Sequence, residues 1–90
     1  MTEVAKQCWV SGRVQGVFFR ESTRREAERL GLRGEAVNLS DGRVSVVVAG
    51  DSVPVKQLIT WLHQGPRTAK VDTVVVEDHS GAVPQGFRTG

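Results

Sequence analysis

Ten residues, Ser11 to Arg20 (SGRVQGVFFR), set a flexible turn directly ahead of an apolar pair and a guanidinium. Successive backbone N–H groups in such a turn can converge into a concave nest for an anion. The start of a following helix adds unpaired donors and a favourable dipole. The candidate anion loop is therefore Gln15, Gly16, Val17, Phe18, Phe19 and Arg20, acting through their backbone amides. Gly16 permits backbone angles that a side chain would forbid and lets a ligand approach closely. Val17, Phe18 and Phe19 can anchor the loop, with at least one of them packed under the helix. Arg20 supplies a planar fork of donors that suits two phosphate oxygens and keeps its charge near neutrality. By itself a glycine-containing loop with one arginine is a weak signal, since most such arginines are solvated surface residues. Arg13 is less favoured, because it lies on the opposite strand face from Val10 and Val14.

Asn38 is the second residue of chemical interest. It ends a predicted strand just before a hairpin turn, where an asparagine often satisfies only local backbone groups. If the topology carries it to the anion loop, its uncharged amide can hold a water. Other candidates are weaker. His63 falls late in a helix and His79 in a loop, with no partner at a ligand spacing. One cysteine, Cys8, provides no zinc set and no intramolecular disulfide. It lies well ahead of the loop, so it is not placed as a phosphatase nucleophile, and it reads as a small core hydrophobe. The nucleotide-triphosphate loop pattern G-x-x-x-x-G-K-[ST] is absent.

These residues need elements to position them. Alternation from about Val4 to Val14 predicts a strand with Cys8, Val10 and Val14 on one face and Trp9 on the other. Glu21 to Leu30 is dense in helix formers, and Phe19, Thr23, Ala27 and Leu30 recur at helical spacing. Thr23-x-x-Glu26 has the form of a capping box, which would start the helix late. A start near Arg20 or Glu21 is preferred, because Phe19 then joins the apolar stripe. Gly31 is a plausible stop. Gly34 to Asn38 and Arg43 to Ala49 form a hairpin about Leu39-Ser40-Asp41-Gly42. A second helix is capped by Asp51 or Ser52, admits Pro54 in its first turn, and buries Val55, Leu58, Ile59 and Leu62 before Gly65-Pro66. Val71 to Glu77 is a fourth strand, and Phe87 to Thr89 a short closing one.

The order strand, helix, strand, strand, helix, strand predicts an α+β fold, the ferredoxin-like split βαβ sandwich. It implies a four- to five-stranded antiparallel sheet in the order 4-1-3-2, with two helices on one face. Ninety residues, 39% hydrophobic and 24% charged, fit one soluble domain over residues 1–90. No run approaches the roughly 18 apolar residues of a membrane span. MTEVAKQ lacks the apolar core of a signal peptide, and with a single cysteine the expectation is a cytoplasmic protein. A net charge of +2 is too small to argue for a nucleic-acid partner. The arginine bias, nine to three lysines, carries little functional weight.

The runs VSGRVQGVFFR, LGLRG and NLSDGRV together closely resemble the acylphosphatase family, over about Val10 to Gly50. In that family the first motif forms a phosphate cradle ending in a substrate-binding arginine, and an asparagine in the second motif orients the attacking water. Residue by residue, the resemblance puts Arg20 and Asn38 in those places. It departs where the family commonly has Gly-Trp-Val: here the segment is Gly34-Glu35-Ala36-Val37-Asn38. The resemblance implies an enzyme that hydrolyses the carboxyl-phosphate bond of small acyl phosphates. A carboxylate leaving group calls for no metal or cofactor, and the short apolar inventory, which leaves little for a dimer surface, gives a monomer as the expectation. The alternative is a non-catalytic phosphate-binding module, or an accessory to carbamoyl transfer. An RNA-binding reading draws only on the fold, since Trp9 is the one aromatic expected on the open sheet face.

Overall fold

The computed structural model describes residues 2–90. Alternation in the first strand, β1 (Glu3–Arg13), sends Cys8 and Val10 into the core, and Val14 follows them just beyond the strand end. Helix α1 (Phe19–Arg29) buries Phe19, Thr23 and Ala27, while its arginines pair with Glu21, Glu26 and Glu28 along the solvent side. The chain then forms β2 (Arg33–Asn38), β3 (Val44–Asp51), α2 (Ser52–Leu62), β4 (Lys70–Asp78) and β5 (Phe87–Thr89). Among the described residues no helix is long and apolar enough to cross a membrane.

The strands lie in the order β4-β1-β3-β2-β5. β3 is antiparallel to both β1 and β2, and β4 is antiparallel to β1. Hence β1 and β2 run the same way, as do β3 and β4, and each helix carries the chain past one intervening strand. This is the expected ferredoxin-like arrangement with order 4-1-3-2. One part of the expectation needs correction: β5 pairs parallel to β2, with Gly34 opposite Phe87 and Ala36 opposite Thr89, so the sheet is mixed. Three residues are too few to hold a strand by side chains alone. Phe87 is buried, and the backbone is tied by Gly34 N–H to Gly86 O and Gly90 N–H to Ala36 O, each at 3.0 Å.

Both helices cover the same face. The core beneath them is Cys8, Val10, Val44, Val46, Val48 and Ala36 from the sheet, against Phe19, Ala27, Val55, Leu58 and Leu62 from the helices. Burial on this scale is the main driving force of folding. On the other face Trp9 is half-buried. Glu35 also points there, and its carboxylate meets the Arg88 guanidinium at 3.1 Å, across the β2–β5 register pair. The residue that departs from the family pattern thus helps tether the parallel edge strand.

Two helix starts differ in detail from the reading of the sequence. α1 begins at Phe19, and the Thr23 hydroxyl donates back to the Phe19 carbonyl at 2.7 Å. It therefore caps nothing, and the late start implied by a capping box does not occur. Asp51 holds the N-cap position of α2 in an extended conformation, without a side-chain cap hydrogen bond.

After α2 the chain turns at Gly65 with φ 67°, and the Gly65 N–H donates to the Trp61 carbonyl at 2.8 Å. A Cβ there would stand 2.7 Å from the Phe19 ring. Phe19 also packs on Trp61, with ring centroids 5.9 Å apart at 44°. Gly65→Ala combines left-handed strain with a clash against a buried ring, and is expected to lower unfolding free energy by about 1–3 kcal/mol. Urea denaturation measures this. An unchanged midpoint would show that Phe19 is not pinned by this turn.

Candidate active site

Because β1 and β2 are parallel and only β3 separates them, their carboxyl ends lie at the same end of the sheet. Val10 and Asn38 both stand opposite Val44, in one row across three strands. The chain leaving β1 therefore loops over the place where β2 ends. A cavity of about 370 Å³ opens there, lined by Val14, Gly16, Phe18, Phe19, Arg20, Glu21, Asn38 and Thr89. Gly16, Arg20 and Asn38, far apart in sequence, thus share one wall system. Arg13 is exposed and does not line the cavity, as its strand face predicts.

The loop is built to leave its amides free. Gly16 (φ 74°) and Phe18 (φ 61°, ψ 25°) are both left-handed, flanking Val17. Alternation of this kind turns successive N–H groups toward one side, the geometry of an anion nest. Among the described residues no backbone or side-chain acceptor receives the N–H of Gly16, Val17, Phe18, Phe19 or Arg20. The first helical hydrogen bond runs only from Ser22 N–H to the Phe18 carbonyl, at 3.0 Å. Helix starts leave such donors over, and of the predicted loop residues Gly16, Phe18, Phe19 and Arg20 line the cavity whereas Gln15 and Val17 do not. A Cβ built on Gly16 would meet nothing within 4 Å, so the open side of the nest stays accessible.

An unfilled nest needs anchors. Val17 and Phe19 supply them, being 8% and 1% exposed. Phe18 does not: the residue is 78% exposed, so the third expected anchor points outward. Two further ties come from residues whose part was not visible in the sequence. The Thr68 hydroxyl donates to the Val17 carbonyl at 2.7 Å. The Gln15 side-chain amide donates to the carbonyls of Leu39 at 2.7 Å and Arg43 at 2.9 Å. Those carbonyls bracket the β2–β3 turn, which closes on itself through Leu39 N–H to Arg43 O at 2.8 Å. One amide group therefore fixes the anion loop to the hairpin that carries Asn38. A long polar residue between a strand and a glycine was the only hint of this in the sequence.

Arg20 lies at the cavity wall, partly exposed, and one of its terminal nitrogens donates to the Gly90 backbone oxygen. Glu21, beside it, is drawn away by Arg24 and Arg25. The hydrogen bond from Arg24 is the chief cause that holds its carboxyl below the ordinary value. A depressed carboxyl contributes stability above its unfolded value and loses it as pH falls through the folded one. This rim pairing is therefore complete at neutral pH and fades only below about 4.5. Asn38 is half-buried, and its Oδ1 is buried with no hydrogen-bond partner among the described residues. Leaving such an acceptor unmatched costs about 1–3 kcal/mol, which a bound water or ligand would recover. The last torsion of an asparagine is soft, so either end of the amide can turn to the cavity.

The remaining candidates lie elsewhere. Cys8 is fully buried under the helices, and burial pushes its thiol up to about 11, against a smaller opposing pull from Lys6. His63 sits at the end of α2 with Nδ1 3.0 Å from the Ile59 carbonyl, and His79 is near Ala82. Neither lines the cavity. Among the described residues no group of three or more His, Cys, Asp and Glu stands together.

Fold and cavity together define a class: small α+β sandwiches with a strand-to-helix loop of unpaired amides and an asparagine lining one cavity. The chain belongs to the acylphosphatase family, whose model matches residues 6–89. It is 53% identical over 78 residues to the acylphosphatase of Hahella chejuensis, covering 87% of this chain and 83% of that one. It is 46% identical over 89 residues to that of Halorhodospira halophila, covering 99% and 97%. The structure of an acylphosphatase from Coxiella burnetii superimposes with a TM-score of 0.92 at 42% identity, over 98% of this chain and 93% of the other.

The Gln15 tie can be tested apart from any activity. Gln15→Leu removes both donors and leaves two carbonyls short, so unfolding free energy should fall by about 1–3 kcal/mol. Amide exchange at Leu39 should quicken with it. If exchange in the β2–β3 turn is unaffected, the loop and hairpin are not coupled through this side chain.

Proposed function

We infer that the protein is an acylphosphatase, hydrolysing the carboxyl-phosphate bond of small acyl phosphates to a carboxylate and inorganic phosphate. The observation that carries this reading is the shared cavity: Gly16, Phe18, Phe19, Arg20 and Asn38 line one space large enough for a phosphoryl group, and the loop amides have no other acceptor among the described residues. Family membership supports the same activity. A carbamoyl-transfer accessory role finds no comparable support, since the curated relatives matched over most of their length are named acylphosphatases.

The chemistry fits a site without a histidine or free carboxylate at its centre. The leaving group is a carboxylate whose conjugate acid has a pKa of about 4, so it departs without a proton. What remains is to hold the phosphoryl group, offset the charge on its oxygens and bring water in line. In this reading the amides of Gln15 to Phe19 and Arg20 bind the phosphoryl oxygens. Arg20 exchanges its contact with the Gly90 oxygen for the substrate, or adds to it through its other nitrogens. Asn38 holds the attacking water through its amide. The water oxygen forms the new bond to phosphorus as the bond to the acyl oxygen breaks. The proton of the water passes to a phosphoryl oxygen of the substrate, so no separate base is required. The reading takes residues 1–90 as one such domain, working as a monomer. The single buried thiol suits a reducing cytoplasm.

Two substitutions separate the roles. Arg20→Ala should lower kcat/KM for benzoyl phosphate by about 10³–10⁵ and weaken competitive inhibition by inorganic phosphate. Asn38→Ala should lower kcat by about 10² or more, while phosphate inhibits nearly as well as before. Steady-state kinetics with phosphate as inhibitor checks both. Wild-type turnover by Asn38→Ala would falsify the water-holding role, and the absence of any acyl phosphate hydrolysis by the native protein would end the proposal.

A further inference from the structure

Phe18 breaks local rules without a structural return. It is the N-cap of α1, a position that favours Ser, Thr, Asp, Asn or Gly, and it makes no side-chain cap hydrogen bond. It is left-handed, a conformation in which a bulky side chain is an outlier and which glycine or asparagine adopts far more readily. The nest explains the backbone angle, but not the residue. Nor does burial: among the described residues Phe18 is the most exposed large hydrophobic, while its neighbours Val17 and Phe19 are both packed inside. Broken local preferences of this kind gather at functional sites.

The ring does have a place to act. Phe18 lines the same cavity as Gly16, Arg20 and Asn38. Asn38 Oδ1 is buried, whereas Phe18 is largely exposed, so of these two lining residues Asn38 belongs to the inner wall of the cavity and Phe18 to its rim. Attack on phosphorus is in line, with water and leaving group on opposite sides of the phosphoryl group. Water held at Asn38 therefore drives the acyl group outward, toward the rim that Phe18 occupies. We propose that Phe18 is a specificity-determining residue, its ring being the platform on which the acyl group of the substrate rests. The favoured substrates are then acyl phosphates with an aromatic or other flat apolar acyl group, in preference to short aliphatic ones. This rests on the acylphosphatase reading above and adds to it the class of acyl group.

An aromatic contact at an exposed rim is worth about threefold to tenfold in selectivity. The test is the ratio of kcat/KM for benzoyl phosphate to that for acetyl phosphate. The nest holds the phosphoryl group common to both, so damage to it largely cancels in the ratio. Phe18→Asn suits the left-handed cap and removes the ring, and should lower the ratio about threefold to tenfold; Phe18→Trp should restore it. A second measurement needs no variant. In the native protein saturated with benzylphosphonate, nuclear Overhauser contacts should join the Phe18 ring to the phenyl protons. A ratio unchanged in Phe18→Asn, or the absence of those contacts, overturns the platform while leaving the activity standing. A native protein that hydrolyses neither substrate overturns both.

Discussion

β3 lies antiparallel between β1 and β2, and this placement obliges the two outer strands to run the same way. Their carboxyl ends must then emerge at one end of the sheet, separated by the width of two strand spacings. The loop that leaves β1 and the asparagine that ends β2 are brought together by that geometry before any side chain interacts. β5 obeys the same constraint, since its parallel pairing with β2 delivers Thr89 and Gly90 to the same rim. Ligands in open α/β sheets gather at strand carboxyl ends for the same reason. Here a smaller, mixed sheet achieves it by interposing one reversed strand.

On that frame the loop solves a second problem. Backbone donors are useful to a ligand only while they are not used by the protein, and an unpaired N–H is unfavourable when buried. The loop keeps them at a solvent-open cavity, where water can serve them in the absence of a ligand. Its shape is enforced from below and from both sides: Phe19 wedged between Trp61 and the turn at Gly65, Thr68 on the Val17 carbonyl, Gln15 on the hairpin. None of these ties uses a loop N–H. They rest on side-chain donors and on packing, so rigidity is gained without closing the nest. Preorganisation of this kind is what lets dipoles act on a reacting group without rearranging first.

The elements that depend on periodicity and turn chemistry were legible in the sequence. The alternation of Val44, Val46 and Val48, the Asp41-Gly42 turn and the stripe Val55, Leu58, Ile59, Leu62 each declare one structure, and each forms. The helix boundary at Phe19 was harder, because Thr23 and Glu26 imitate a cap whose hydroxyl is used for a bond four residues back. The parallel pairing of β5 could not be read from three residues. Its direction is set by where the preceding loop releases it, and by tertiary partners such as the Glu35–Arg88 pair. In the site, the motifs single out Arg20 and Asn38, and the fold sets both on the wall of one cavity. The reach of Gln15 to two carbonyls, and the outward turn of Phe18 between two buried neighbours, are consequences of how the loop sits on the hairpin. Beyond a long polar residue set between a strand and a glycine, nothing in the local sequence points to them.

Cys8 plays no part in this chemistry, yet its position has a practical outcome. Sealed beneath the helices and kept in its thiol form by burial, it is shielded from alkylating and oxidising reagents for as long as the sandwich holds. Modification requires β1, a central strand, to be uncovered, and that means opening most of the molecule. The one sulfhydryl is thus a native clock of global opening, whose labelling rate can be followed without introducing any probe.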